Sequence, residues 1–106
     1  MRVLIVEPDR APRVAEIENT LESKQEIVGG RIEMTCPPIH PDDAVIICNE
    51  EGKFNGSEPN RAVFLADGTP YDIIFGTFII CRAPIDSDDF ESLTDEQISR
   101  YSKFYA

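Results

Sequence analysis

The sequence has 106 residues, a formal net charge of −10 from 20 acidic and 10 basic side chains, three cysteines and one histidine. This length is typical of a single domain, residues 1–106, with a core that needs neither a disulfide nor a metal ion. The acidic residues are spread over both halves of the chain, so we expect a negative surface throughout. Because such a surface repels phosphate, the composition argues against direct nucleic-acid binding and against binding to anionic membranes.

The N-terminal part of the chain predicts two strands followed by a helix. Four consecutive aliphatic residues within the stretch from Arg2 to Glu7 are typical of a strand buried on both faces. Arg13 to Ile17 predicts its partner strand. The helix begins at Asn19, whose side chain we expect to cap it, and ends at the left-handed exit of the Gly29-Gly30 pair.

The middle of the chain predicts two further strands around a proline-rich turn. Arg31 to Cys36 alternates between apolar and polar residues, which places Met34 on the covered face of an antiparallel strand. The residues that follow hold three prolines, which cannot continue a ladder of backbone hydrogen bonds. Ala44 to Cys48 is again apolar and predicts a buried strand.

A hairpin is predicted in the second half of the chain. Asp67-Gly68 is a strong turn signal, and it stands between the apolar stretches Ala62–Ala66 and Tyr71–Ile74. We expect the second arm to run on to Cys81, with a β-bulge at Gly76.

The C-terminal helix has the clearest signals in the chain. Thr94 and Gln97 form a capping box, and Leu93 can pack on Ile98 across the cap. The face expected to dock consists of Ile98, Tyr101, Phe104 and Tyr105. The predicted order is therefore β-β-α-β-β-β-β-α, which indicates an α+β fold: a mostly antiparallel sheet of about five to six strands with two helices on one side.

The cysteine and histidine positions predict no metal site and no cofactor. Cys36, Cys48 and Cys81 are odd in number and form no C-x-x-C pair, which indicates free thiols in a reducing, cytoplasmic compartment. The single histidine, His40, gives no ordinary zinc spacing with them. The acidic stretch that begins at Asp86 lacks the glycine and the glutamate that a calcium-binding EF-hand loop requires.

The best candidate for a binding site is the polar segment from Asn49 to Arg61. It is long, it lies between two apolar strands, and loops held by rigid strands often carry binding residues. The residues expected to bind a partner or ligand are Asn49, Glu50, Asn60 and Arg61. A surface loop without a binding role is the alternative interpretation.

Several stretches of the sequence together resemble a known family. They are R-V-L-I-V-E-P at the start, E-I-E-N-T-L-E-x-x-Q-E-I-V-G-G from Glu16, I-I-C-N-E-E-G-K-x-N-G from Ile46, P-N-R-A from Pro59, Y-D-I-I-x-G-T-F from Tyr71 and S-L-T-D-E-Q-I from Ser92, where x marks a position outside the match. The chain resembles a family of small single-domain proteins of unknown function from Gram-positive gut bacteria and their phages, plasmids and conjugative elements. The resemblance implies no activity and no catalytic residues; the mobile-element setting implies an accessory role, such as modulating a host protein.

The leading hypothesis is a non-enzymatic, cytoplasmic protein-interaction or regulatory module of a phage or mobile element. Its recognition surface is expected in the segment from Asn49 to Arg61, its partner is a protein, and the chain is a monomer or a weak dimer. One alternative is a binder or enzyme for a small polar or nucleotide-like ligand, held by Arg61. Another is an acidic decoy that imitates nucleic acid and acts against a host DNA-acting protein.

Overall fold

The computed structural model of the chain describes residues 1–35, 43–65 and 67–106. Its elements in chain order are β1 (Arg2–Val6), β2 (Arg13–Glu16), α1 (Leu21–Val28), β3 (Ile32–Thr35), β4 (Ala44–Asn49), β5 (Pro59–Phe64), β6 (Pro70–Phe75), β7 (Phe78–Arg82) and α2 (Asp95–Phe104). The predicted proline-rich turn, with Cys36 and His40, lies outside the described residues, as does Ala66.

Five strands form one antiparallel sheet, and the remaining two form a separate hairpin. The order in the large sheet is β2-β1-β7-β4-β3, and β5 pairs with β6 alone. The strands β1 and β7 lie side by side at the centre, with Leu4 opposite Ile80, and every residue from Val3 to Val6 is buried. The predicted α+β class and order of elements are confirmed.

Both faces of the large sheet are covered. On one face, α1 packs through Val28 against alternate residues of the central strands, among them Val3, Ile5 and Ile79. On the other face, α2 and the β5–β6 hairpin cover the intervening residues: Leu4, Val6, Ile46, Phe78 and Ile80. The two helices therefore lie on opposite faces, and the prediction that both lie on one side is wrong. A sheet whose central strands are apolar on both faces needs cover on both.

The predicted second hairpin arm is divided into two strands at Gly76. Gly76 has a φ of 81°, in the left-handed region, and the chain leaves the hairpin there to enter the large sheet as β7. This residue is therefore not a bulge within one continuous arm. The division brings the number of strands to seven, because β6 pairs only with β5 while β7 pairs with β1 and β4.

The ends of α1 agree with the sequence in part. Gly29 closes the helix in the left-handed conformation, as predicted, at φ 86°. The N-cap is Thr20, whose Oγ1 accepts a hydrogen bond from the Ser23 amide at 3.1 Å. Asn19 is not the cap, because its side chain accepts from Lys24 Nζ at 2.8 Å and donates to the Phe90 carbonyl at 2.9 Å.

Two further predictions concern β3 and α2. Met34 is 57% exposed rather than covered, because β3 is the outermost strand and has a sheet neighbour on one side only. The capping box of α2 is confirmed, with Gln97 N donating to Thr94 Oγ1 at 3.1 Å and Thr94 N donating to Gln97 Oε1 at 3.0 Å.

In the part of the chain that the structure describes, no helix is long and apolar enough to cross a membrane.

Candidate functional site

A cleft of about 460 Å³ lies between the β3–β4 end of the large sheet and the β5–β6 hairpin. We call it the hairpin cleft. The loop that joins β4 to β5 lines it as well. The side chains that give it its chemical character are Glu33, Cys48, Lys53, Phe54, Val63 and Asp72.

Strand register places these side chains on the same side of their strands. Glu33 is directly opposite Cys48 in the β3–β4 pair, so the two side chains point to the same face of the sheet. Val63 is directly opposite Asp72 in the hairpin, and the buried Val63 packs in the same core cluster as Cys48. Asp72 is therefore directed to the side of the hairpin that faces the large sheet.

Gly52 allows the β4–β5 loop to touch the hairpin. A Cβ atom at this position would lie 2.6 Å from the Phe75 carbonyl oxygen, and real Cβ atoms do not approach backbone so closely. Because that neighbour is backbone and not a flexible side chain, any larger residue would push the loop away from β6. The loop closes one end of the cleft for this reason.

The mouth of the cleft holds an ion pair between Lys53 and Asp72. The hydrogen bond from Lys53 lowers the pKa of Asp72, and the Ile73 amide, which donates to the same carboxylate at 2.8 Å, lowers it further. Both side chains are about half exposed, so the pair contributes little to the free energy of unfolding. The pair also neutralises the ammonium group of Lys53, which is the only one among the lining residues.

The thiol of Cys48, at the base of the cleft, is unreactive at neutral pH. Burial, together with the nearby carboxylates of Glu33 and Asp72, raises the pKa of Cys48 to about 11, and Lys53 acts in the opposite direction. Cys48 is therefore a protonated thiol at neutral pH, whereas a nucleophile or a metal ligand must be a thiolate. Its sulfur donates a weak hydrogen bond to the Glu33 carbonyl at 3.7 Å.

Cys81 is equally unsuited to thiol chemistry. Burial raises its pKa to about 12, and it is fully buried on the α1 face of the sheet. Cys48 and Cys81 are both free, and they lie on adjacent strands but on opposite faces. Within residues 1–35, 43–65 and 67–106, no group of His, Cys, Asp and Glu side chains is arranged to hold a metal ion.

Two of the four predicted site residues, Asn49 and Glu50, line the hairpin cleft. Asn49 is the last residue of β4 and is 9% exposed. Its Nδ2 donates to the Val28 carbonyl at 3.1 Å, and its Oδ1 accepts from the Glu51 amide at 2.8 Å. Asn49 therefore joins the end of α1 to the start of the loop, while Glu50 remains exposed at the rim.

The other two predicted residues, Asn60 and Arg61, lie on β5 and not in the loop. The Asn60 Nδ2 donates to the carbonyls of Val6 at 2.9 Å and Gly76 at 2.8 Å. The Arg61 guanidinium donates to the carbonyls of Tyr105 at 2.9 Å and Arg10 at 2.6 Å, and to Asn60 Oδ1 at 2.7 Å. These bonds connect the hairpin to the large sheet and to α2, so the structure does not bring the four residues together.

Sequence reasoning missed Glu33 and Asp72 as cleft residues, and it did not single out Lys53 and Phe54 within the predicted segment from Asn49 to Arg61. Phe54 carried a visible signal, because it is the single aromatic residue in an otherwise polar segment. Glu33 and Asp72 occupy ordinary alternating positions on strands, and only the packing of the hairpin against the β3–β4 end brings them to one cleft. No local pattern contains that information.

Comparisons with known proteins place the chain in a family without assigning it an activity. No curated protein and no solved structure matches it. One family model, described as a domain of unknown function (DUF3846), matches residues 1–106. Since this match covers the entire sequence, the chain belongs to the DUF3846 family.

Proposed function

We propose that this protein is a non-enzymatic interaction module that binds a basic segment of a partner protein at the hairpin cleft. The observation that carries the proposal is the composition of that cleft. Its lining holds three carboxylates, from Glu33, Glu50 and Asp72, and a single ammonium group, from Lys53, which is already paired with Asp72. A lysine- or arginine-bearing segment complements this charge, and a phosphate-bearing ligand does not.

An apolar side chain at the same place favours a polypeptide over a small cation. Phe54 lines the cleft and is 88% exposed. Exposed apolar groups beside charged groups are typical of surfaces that bind other proteins, where apolar contact supplies affinity and charge supplies selectivity. A segment that alternates basic and apolar residues would satisfy both kinds of group.

The positions of the candidate reactive groups support a binding role rather than catalysis. The thiols of Cys48 and Cys81 are protonated at neutral pH, because their pKa values are raised to about 11 and about 12. Arg61, which a nucleotide-like ligand would require, directs its guanidinium to backbone carbonyls of the fold. The ammonium group of Lys53, the only one among the residues that line the cleft, forms an ion pair with Asp72.

The proposed setting follows from the resemblance described above. A small acidic protein carried by phages, plasmids or conjugative elements of Gram-positive bacteria fits a regulatory role in the host cytoplasm, exercised by binding a host protein. The strong negative charge of the chain suits a partner with a basic surface. Many such partners act on nucleic acids, which would give the element a means to alter host DNA or RNA processes.

A charge-reversal experiment tests the proposal. Wild type, Glu33→Lys and the control Glu26→Lys are immobilised and exposed to a lysate of the source organism, and retained proteins are quantified by mass spectrometry. Glu33 lines the cleft, whereas Glu26 is exposed on α1, on the opposite face of the sheet. Because both variants replace a glutamate by a lysine, they have the same net charge. We expect a basic protein to be retained by wild type and Glu26→Lys, and to be reduced at least tenfold with Glu33→Lys.

Equal retention by all three proteins would contradict the proposal, because the cleft would then make no difference to binding. Retention of no protein by wild type would contradict it as well. Melting temperatures of the three proteins confirm that each variant is folded under the conditions used.

A further inference from the structure

Phe54 is unusually exposed for an aromatic side chain. It is 88% exposed, although burying a phenylalanine is among the most favourable contacts that a side chain can make. It directly follows the charged residues Glu50, Glu51 and Lys53 in the sequence E-E-G-K-F-N-G and lies at the rim of the hairpin cleft.

The loop around Phe54 is fixed by hydrogen bonds on both sides. The amides of Phe54 and Asn55 donate to the Glu51 carbonyl at 2.9 and 3.1 Å, which forms a helix-like turn. Beyond it, Asn55 Oδ1 accepts from the Ser57 amide at 3.1 Å. Before it, Gly52 lies directly against the Phe75 carbonyl. The backbone that carries Phe54 is therefore ordered before any partner binds, which lowers the entropy lost on association.

The charges around the loop select the kind of surface that can receive Phe54. Glu50, Glu51 and Glu58 are exposed, and none of them forms an ion pair within the described parts of the chain. Lys53 pairs with Asp72, so it does not offset them. A second copy of this chain, with its net charge of −10, would be repelled, and so would nucleic acid or an anionic membrane.

We infer that Phe54 is the anchor of the interface, and that it inserts into an apolar pocket on a partner protein whose rim carries lysine or arginine side chains. This inference rests on the proposed function and adds to it the residue that supplies most of the affinity. A rigid aromatic group surrounded by charged groups has the character of a binding hot spot, and truncation of such a residue weakens binding by about 30-fold or more.

Site-specific photocrosslinking tests the inference. The photoreactive amino acid p-benzoylphenylalanine replaces Phe54, Glu33 or Ile85 in the full chain, which is then irradiated in a lysate of the source organism. Ile85 is the control, because it is an apolar residue that is fully exposed outside the cleft. We expect a crosslink at position 54 to one protein, at an apolar segment flanked by lysine or arginine, and none at position 85.

The identified partner is then purified and titrated with wild type, Phe54→Ala and Ile85→Ala. We expect Phe54→Ala to bind about 30-fold more weakly, Ile85→Ala to bind like wild type, and all three to melt at the same temperature. A loss below threefold with Phe54→Ala would overturn the inference.

The crosslinking outcomes separate the two proposals. A crosslink at position 33 without one at position 54 would overturn the role of Phe54 and leave the cleft as the binding site. Crosslinks at neither position would overturn both proposals. A crosslink at position 54 to another copy of this chain, to an acidic surface, or with equal yield at position 85 would also overturn the inference.

Discussion

The guanidinium of Arg61 contacts three separate parts of the molecule. It donates to the Tyr105 carbonyl at the end of α2, to the Arg10 carbonyl after β1 and to the neighbouring Asn60 side chain. All three are charge-assisted bonds, which are stronger than those between neutral groups, and the bonds to Tyr105 and Asn60 are partly buried. Arg61 therefore stabilises the arrangement of the hairpin relative to α2 and the large sheet.

Replacement of Arg61 tests this structural role. We expect Arg61→Ala to lower the free energy of unfolding by about 2 to 4 kcal/mol, because several charge-assisted hydrogen bonds are lost together. Arg31→Ala is the matched control; Arg31 is exposed, and its loss should change stability by less than about 0.5 kcal/mol. Urea unfolding followed by circular dichroism measures both. If Arg61→Ala unfolds like wild type, the contacts of Arg61 do not stabilise the fold, and its predicted role in binding regains support.

The sequence identifies residues whose signal is local and misplaces those whose partners are distant. Gly29 follows an amphipathic stretch and is correctly predicted to end α1. Asn19 and Thr20 are both good N-caps, and only the contacts of Asn19 with Lys24 and Phe90 decide between them. Asn60 lies in a polar stretch that predicts a loop, but the fold has a strand there. Its hydrogen-bond partners, the carbonyls of Val6 and Gly76, are distant in sequence and give no local signal.

Among the elements, α2 is the one that the sequence predicts best. Its capping box lies within four consecutive residues, and its apolar face follows the helical period, so both signals are local. Most of the face docks on the sheet as expected: Tyr101 is fully buried, and the Tyr105 ring lies 5.6 Å from the Phe78 ring in an edge-to-face arrangement, whereas Phe104 is 40% exposed.

Substitutions in α2 give a graded prediction. Tyr101→Ala should lower the free energy of unfolding by about 3 to 5 kcal/mol, since it removes a buried aromatic ring from the core. Thr94→Ala should lower it by about 1 kcal/mol through loss of the cap. Ser99→Ala, at an exposed position of the same helix, serves as the control and should be neutral or slightly stabilising. Thermal melts that rank the variants in any other order would show that α2 does not dock in this way in solution.

The division between β6 and β7 cannot be predicted from the sequence of this stretch alone. Tyr71 to Cys81 has the composition of one continuous strand, and Gly76 is compatible with a bulge or with a change of direction. The choice depends on β1 and β4, which together offer β7 hydrogen-bond partners on both edges. The hairpin cleft forms because the chain makes this change of direction.

For the molecule as a whole, the net charge of −10 sets the response to salt. The exposed ion pairs, such as Glu7 with Arg13 and Glu96 with Arg100, add little to stability. Repulsion among the remaining carboxylates opposes the folded state, since folding brings them closer together. The balance at low ionic strength is therefore dominated by repulsion.

Added salt should consequently stabilise the protein. We expect the melting temperature to rise by about 2 to 5 °C between roughly 20 and 200 mM NaCl, because the screening length falls to less than 10 Å over this range. A variant with Glu18→Gln, Glu26→Gln and Asp88→Asn, all at exposed positions, should show a smaller rise. Calorimetry at both salt concentrations makes the comparison; a melting temperature that falls with salt would mean that attractive pairs outweigh the repulsion.

The pairing of β1 with β7 has a consequence during synthesis of the chain. Leu4 lies opposite Ile80, so roughly 75 further residues must be synthesised after β1 before its central partner strand exists. At ordinary rates of translation this interval lasts roughly 4 to 15 s. During that time β1 has only the short strand β2 beside it, and one edge of V-L-I-V is open to aggregation or to a chaperone. During synthesis, β1 is therefore covered on its second edge only after the sequence that follows Gly76 has been translated.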